Sequence, residues 1–144
     1  MKGWLLDVNV LLGCGWKSHA DNPALLGWLL QAGNWVTCPL TESGFMRISM
    51  TTAYQATFDD TRKSLATLRA LSGHRFLTDD VEAAMLPVLS GYKDTTDAHL
   101  VTLARRHGLK LATLDEALIS RTWAAGMAEN PLLQPVKSKP KGKN

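Results

Sequence analysis

The stretch from Asp94 to Leu118, DTTDAHLVTLARRHGLKLATLDEAL, contains a full change of hydrophobic period. Leu100, Val101, Leu103 and Ala104 continue a helical face from Asp97, and Gly108 ends it. Leu109-Lys110-Leu111-Ala112-Thr113-Leu114 is then too short and too apolar for a surface helix and reads as a buried strand leading to Asp115. Helix, strand and a further helix start follow one another with minimal connections, which is the repeating unit of an α/β fold.

Working outward, the same alternation recurs. Trp4-Leu5-Leu6, bounded by Gly3 and Asp7, reads as a first buried strand, and Val8 to Leu12 as a short helix capped by Asp7 and closed by Gly13 and Gly15. Residues 21–32 form a helix with Pro23 near its first turn and Gly33 after its end. Asn34 to Cys38 is strand-like and stops at Pro39, and Phe45, Ile48 and Met50 in LTESGFMRISM are spaced for a helix. Thr57 and Asp60 form a capping pair for a helix whose Leu65, Leu68 and Leu71 make one apolar row, with Arg62, Lys63 and Arg69 away from it. Arg75-Phe76-Leu77 is a candidate strand, Thr78 is placed to cap a helix over 79–86, and Leu132 to Val136 is a candidate last strand. The predicted class is α/β, a three-layer α/β/α sandwich with a mainly parallel central sheet. Residues 1–136 form one domain, and 137–144 are a basic, low-complexity tail expected to be disordered.

Composition fits one globular domain of 144 residues with 45% hydrophobic and 20% charged residues. No apolar run approaches the roughly 18 residues needed to span a bilayer, and the N-terminal apolar stretch is interrupted by Asp7 and Asn9, a poor secretory signal. Cys14 and Cys38 give neither a disulfide framework nor a zinc pattern and are expected to be reduced and buried, which fits the cytoplasm. The net charge of +3 suggests a polyanionic partner. Four of the sixteen Lys and Arg lie in the last eight residues, so residues 1–136 carry twelve cations against thirteen acids, a net −1.

Ligands of open α/β sheets bind beyond the carboxyl ends of the strands. Asp7 and Asp115 stand at strand exits, Glu42 follows the second strand by a short turn, and Asp97 opens the helix that feeds the next strand. Each alone reads as an N-cap or as a first-turn acid complementing the helix dipole. Four converging carboxylates would repel one another unless cations neutralised them. All-oxygen ligands suit Mg²⁺ or Mn²⁺, one or two ions, and no Cys or His is positioned to prefer zinc. Paired divalent ions can activate water and stabilise a leaving oxygen, so phosphodiester hydrolysis is the chemistry suggested.

GWLLDVNVLLG, TCPLTESGFMRI and TTDAHLVTLARRHGLKLATLDEAL resemble the three signature regions of PIN-domain ribonucleases, especially the VapC toxins of bacterial toxin–antitoxin pairs. The similarity runs from Lys2 to about Val136. It implies a PIN-like fold and a metal-binding, catalytic quartet of Asp7, Glu42, Asp97 and Asp115, supported by Asn9 and Thr113. It also implies RNA as substrate, a homodimer, and a cognate antitoxin whose basic or bulky side chain blocks the crevice. Where family toxins often read Thr-Glu-Asn-Gly-Phe, this chain has Ser43 in place of the Asn. Asp94 is a second acid three residues before Asp97. The Thr-Asp-Ala match favours Asp97 as ligand and leaves Asp94 as a cap.

Other features point less far. Gly13-Cys14-Gly15-Trp16-Lys17-Ser18 lacks the Walker spacing and reads as a turn. The four histidines make no zinc pattern, and Trp4 and Trp28 belong to apolar runs. Arg47, five residues after Glu42, is placed either to flank the site and hold a phosphate or to remain a solvated surface residue. An aspartyl phosphatase of the haloacid-dehalogenase type also places an acid after the first strand, but it needs a second Asp where this chain has Asn9. A catalytically idle RNA-binding module is the other alternative. If the four acids are neutralised by metal, residues 1–136 present +3, and the tail becomes an auxiliary contact or a solubilising end.

Overall fold

In each central strand, adjacent side chains depart to opposite faces, and both faces are apolar. Leu5, Val36 and Leu111 pack with Leu100, Val101 and Leu103 on one side; Leu6, Trp35 and Ala112 pack with Leu11, Leu25, Leu29 and Phe45 on the other. A strand buried on both faces needs helices above and below it, which is why these strands read as continuous apolar runs rather than alternating ones. The computed structural model, which describes residues 2–133, has this three-layer form. Strands β1 (Trp4–Leu6), β2 (Trp35–Thr37), β3 (His74–Phe76), β4 (Lys110–Ala112) and β5 (Ala128–Glu129) form one sheet in the order β3-β2-β1-β4-β5. Every pairing is parallel. The helices are α1 (Val8–Gly15), α2 (Asn22–Gln31), α3 (Pro39–Ser49), α4 (Phe58–Arg69), α5 (Thr95–Arg106) and α6 (Glu116–Ile119).

Three local expectations change. Helix α1 does not close at Gly13 but runs through Gly15, so the Gly13–Ser18 segment begins inside a helix rather than as a turn. These glycines serve packing: a Cβ at Gly13 would stand 2.1 Å from Leu25 Cδ1, and one at Gly15 would stand 2.9 Å from the Phe45 ring. The expected helix over 79–86 is absent apart from a 3₁₀ turn at Ala83–Met85. Its acids reach to the neighbouring helical segment, Asp79 Oδ2 to His99 and Asp80 to Arg106 and His107, while Asp79 Oδ1 accepts from Val81 N–H at 3.0 Å in a local turn. Among the described residues the last strand is Ala128–Glu129, beside β4, and the start of the Leu132–Val136 candidate is not a strand. Pro131–Leu133 forms a 3₁₀ turn, and residues 134–136 and the basic tail lie outside the described residues. The Thr57–Asp60 capping box of α4 and the positive-φ Gly108 after α5 agree with the sequence pattern.

Strand order fixes where a ligand can enter. From β1 the chain winds outward to β2 and β3, then returns to add β4 and β5 on the other side. The winding reverses between β1 and β4. The crevice at their carboxyl ends is the topological switch point, the place where open α/β sheets bind ligands.

Candidate active site

Asp7 follows β1 directly, and its N–H donates to Ala112 O at 2.9 Å, which fixes its backbone against β4. Its carboxylate is buried and accepts from Val8 N–H at 2.7 Å and from the Thr113 hydroxyl at 2.7 Å. That hydroxyl also accepts from Asp115 N–H at 3.1 Å and from Asn9 Nδ2 at 3.3 Å, so its one donor and both acceptor positions are engaged. Asn9 Oδ1 accepts from Leu114 N–H at 3.0 Å. Asn9 and Thr113 thus lock the β1–α1 junction to the β4–α6 junction across the switch point. Asp115 caps α6 through Leu118 N–H at 3.1 Å, and Asp97 occupies the first turn of α5.

Asp97 lies within electrostatic range of both Asp7 and Asp115. Burial first, and then the charges of Asp7, Asp115 and Asp94, push the Asp97 carboxyl up to about 6, while Arg121 pulls it back. Asp7 is also raised, chiefly by burial and in small part by Asp115, against the lowering effect of its Thr113 and Val8 hydrogen bonds. Arg121 is itself paired with Asp94 at 3.2 Å. Asp94 sits at the N-cap position of α5, yet its side chain makes no capping bond and holds Arg121 instead.

Glu42 has a different environment. Its helix starts at Pro39 and is braced by Cys38 N–H donating to Thr41 Oγ1 at 3.0 Å. Gly44 lets α3 approach α1 beside Asp7, because a Cβ there would lie 2.5 Å from Val8 Cγ2. Arg69, in the last turn of α4, donates from Nη1 to both Glu42 oxygens at 3.0 Å. The buried Thr37 hydroxyl donates to Glu42 Oε2 at 2.6 Å and lies 2.7 Å from His74 Nε2. With its only proton directed at Glu42, Thr37 must accept from His74, which requires the Nε2–H tautomer. Burial, and then the Arg69 charge, lower the His74 pKa, in keeping with a neutral ring.

The structure therefore brings Asp7, Asp97 and Asp115 into one electrostatic group, with Asn9 and Thr113 beneath it, and places Glu42 in an ion pair. Arg47 is exposed on α3. The guanidinium that reaches Glu42 is that of Arg69. Sequence patterns did not reveal Arg69, Thr37, His74 or Arg121. The available signal was Thr37, a polar residue inside an otherwise apolar strand. Among the described residues no group of three or more His, Cys, Asp or Glu side chains is gathered closely enough to hold a metal ion. The donor chemistry still fits a hard cation, because the donors are carboxylate oxygens whose charges act against one another at Asp97, and Arg121, the cation that acts on Asp97, is also paired with Asp94. The cysteines offer no competing nucleophile: both are buried, and burial pushes the Cys14 thiol up to about 12.

Residues 4–123 match the PIN domain family. Ribonuclease VapC38 of Mycobacterium tuberculosis is 42% identical over 123 residues, covering 81% of this chain and 87% of that protein. Ribonuclease VapC39 of the same organism is 37% identical over 135 residues, 87% of this chain and 96% of its own. Ribonuclease VapC29, also from that organism, is 32% identical over 117 residues, 79% of this chain and 86% of its own. A parallel sheet in the order 3-2-1-4-5, acids at its switch point and these similarities agree: the chain belongs to the PIN-domain family and is a homologue of the VapC ribonucleases.

Proposed function

We propose that this protein is the toxin of a type II toxin–antitoxin pair and an endoribonuclease that hydrolyses RNA phosphodiester bonds with Mg²⁺ or Mn²⁺. Asp7, Glu42, Asp97 and Asp115 are the metal ligands and the catalytic group. The observation that carries this reading is the joining of the Asp7 and Asp115 junctions at the switch point through the Thr113 hydroxyl, with Asp97 near enough to feel both charges, in a chain whose relatives are ribonucleases. A divalent ion held by these carboxylates supplies the positive charge that activates water and offsets charge building on the phosphate. The protein's own part is positioning. Thr113 and Val8 N–H orient Asp7, Asn9 fixes the turn that carries Asp115, and the α6 N-terminus holds the Asp115 carboxylate in place. Buried in this way, Asp7 is presented with little freedom to turn.

Asn9 also argues against the aspartyl-phosphatase alternative, since a carboxamide cannot act as the general acid and base that a second Asp would supply, and here it braces the β4–α6 turn instead. No helix among the described residues is long and apolar enough to cross a membrane. We read residues 1–136 as one cytoplasmic nuclease domain that acts as a homodimer and is held in check by a cognate antitoxin. The test is to map new RNA 5′ ends in cells after inducing the wild type and Asp97→Asn. Discrete ends appear only with the wild type if the reading holds, and identical end profiles would overturn it.

A further inference from the structure

The cation already seated on Glu42 has no role in the chemistry proposed so far. Arg69 reaches both Glu42 oxygens through a single nitrogen, Nη1, rather than through the two-pronged fork that gives the firmest Arg–carboxylate pairs. Its side chain is 42% exposed against 14% for Glu42, so it can leave without disturbing packed core. It also has a second support: its guanidinium lies 5.1 Å from the centroid of the Phe76 ring, near enough for cation–π attraction. Leaving Glu42 therefore need not send the guanidinium into bulk water. The carboxylate, by comparison, is kept in place from behind by the Thr37 hydroxyl, which is in turn held by His74. One partner of the ion pair is anchored from behind and the other is the more exposed.

We propose that Arg69 is a partner-exchanging residue. It neutralises Glu42 until a divalent cation takes that carboxylate, and then turns its guanidinium, still seated on Phe76, to a phosphate of the bound RNA strand. The inference rests on the metal-site reading of Glu42 and adds to it a competitor and a substrate-binding group within the chain. Exchange follows from charge. With Arg69 and Thr37 in place, three hydrogen bonds occupy Glu42, and a divalent cation brought to the same oxygens meets a positive neighbour. Once displaced, a guanidinium is well suited to a phosphate diester, whose geometry it matches.

Opposite signs separate this role from a merely structural one. A residue that only positions Glu42 would lower metal affinity when removed, whereas a competitor would raise it. The experiment titrates the full chain with Mn²⁺ alone, without RNA, by calorimetry or by the decline of the free-ion electron paramagnetic resonance signal. Arg69→Ala is expected to bind Mn²⁺ about tenfold more tightly than wild type, as expected for removing one nearby like charge. Arg62→Ala, on the same helix but paired with Asp59, is expected to leave affinity unchanged. With RNA and saturating Mn²⁺, Arg69→Ala is expected to raise KM about tenfold with kcat nearly kept, the signature of a substrate interaction made equally in the ground and transition states. Equal or weaker Mn²⁺ binding by Arg69→Ala overturns the inference, as does an equal gain in Arg62→Ala or an unchanged KM. Asp97→Asn keeps the readings apart. If it abolishes binding while Arg69→Ala leaves it unchanged, only the exchange fails; if neither wild type nor Arg69→Ala binds Mn²⁺, both readings fail.

Discussion

The two halves of the acidic crevice treat their carboxylates in opposite ways. On the β1–β4 side, Asp7 and Asp115 are held by neutral donors, and with Asp97 they form a group whose mutual repulsion helps to raise the Asp97 pKa. On the β2–α4 side, Glu42 is neutralised by Arg69 and held by the Thr37–His74 relay. The contrast teaches that proximity of acids alone does not define a site. What marks one is charge that the fold concentrates beyond what its cations offset, and here that marker belongs to the switch point, where Asp7 and Asp115 raise the Asp97 carboxyl although Arg121 acts against them.

The strongest attack on the contrast is Asp7→Asn. It removes one member of the repelling group and keeps the side chain's shape, so metal-dependent RNA cleavage by the purified protein should fall by about 10³-fold or more. Cleavage retained within tenfold would place the chemistry elsewhere. Thr113→Val comes next, because it leaves Asp7, Asn9 and the Asp115 N–H each short of a partner. Removing such a supporting hydrogen-bond partner predicts a fall in activity of about 10–100-fold, with the cost in stability checked by urea unfolding.

Gly44→Ala tests the Glu42 side. The new Cβ would meet Val8 Cγ2 at 2.5 Å, and forcing α3 from α1 should cost about 1–3 kcal/mol of stability. An unchanged unfolding midpoint would show that the helices have room to spare. The smallest effect concerns pH. Asp97 ionises near 3.8 when unfolded and at about 6 when folded, so between those values the native state holds more protons and stability falls as pH rises. With chelator present, Asp97→Asn should remove that fall and be more stable than wild type at pH 7 by about 1 kcal/mol after solvent screening. Parallel pH profiles for the two proteins would mean that Asp97 is not strained by its neighbours.

Much of this was legible in the sequence because it is local. Apolar runs such as Trp4–Leu6 and Leu109–Leu114, the Thr57–Asp60 box and the stop at Gly108 are decided by residues within a few positions of each other. The β1–α1 and β4–α6 junctions with their acids follow from the same patterns. What was not legible depends on distant partners. Helix α1 passes through Gly13 and Gly15 because Leu25 and Phe45 need that space. The segment 79–86, apart from its 3₁₀ turn, is not helical, and its acids pair with His99, Arg106 and His107, partners that local patterns do not show. Arg69 looked like one of three surface cations on α4, and Arg62 and Lys63 are that, both pairing with Asp59. Only the fold brings Arg69 to Glu42, 27 positions away. N-caps and site acids also proved to be compatible readings, since Asp115 is both a cap and a member of the charged group.

If the switch-point acids hold a divalent cation, a pair of melting curves at pH of about 7.5 with and without Mn²⁺ will reveal it. A ligand that binds only the folded form at about a hundred times its Kd adds about 2.7 kcal/mol, a rise on the order of 5–10 °C for a domain of this size. The wild type should show that rise and Asp97→Asn should lose it. No rise at millimolar Mn²⁺, or the same rise in both proteins, would contradict the account.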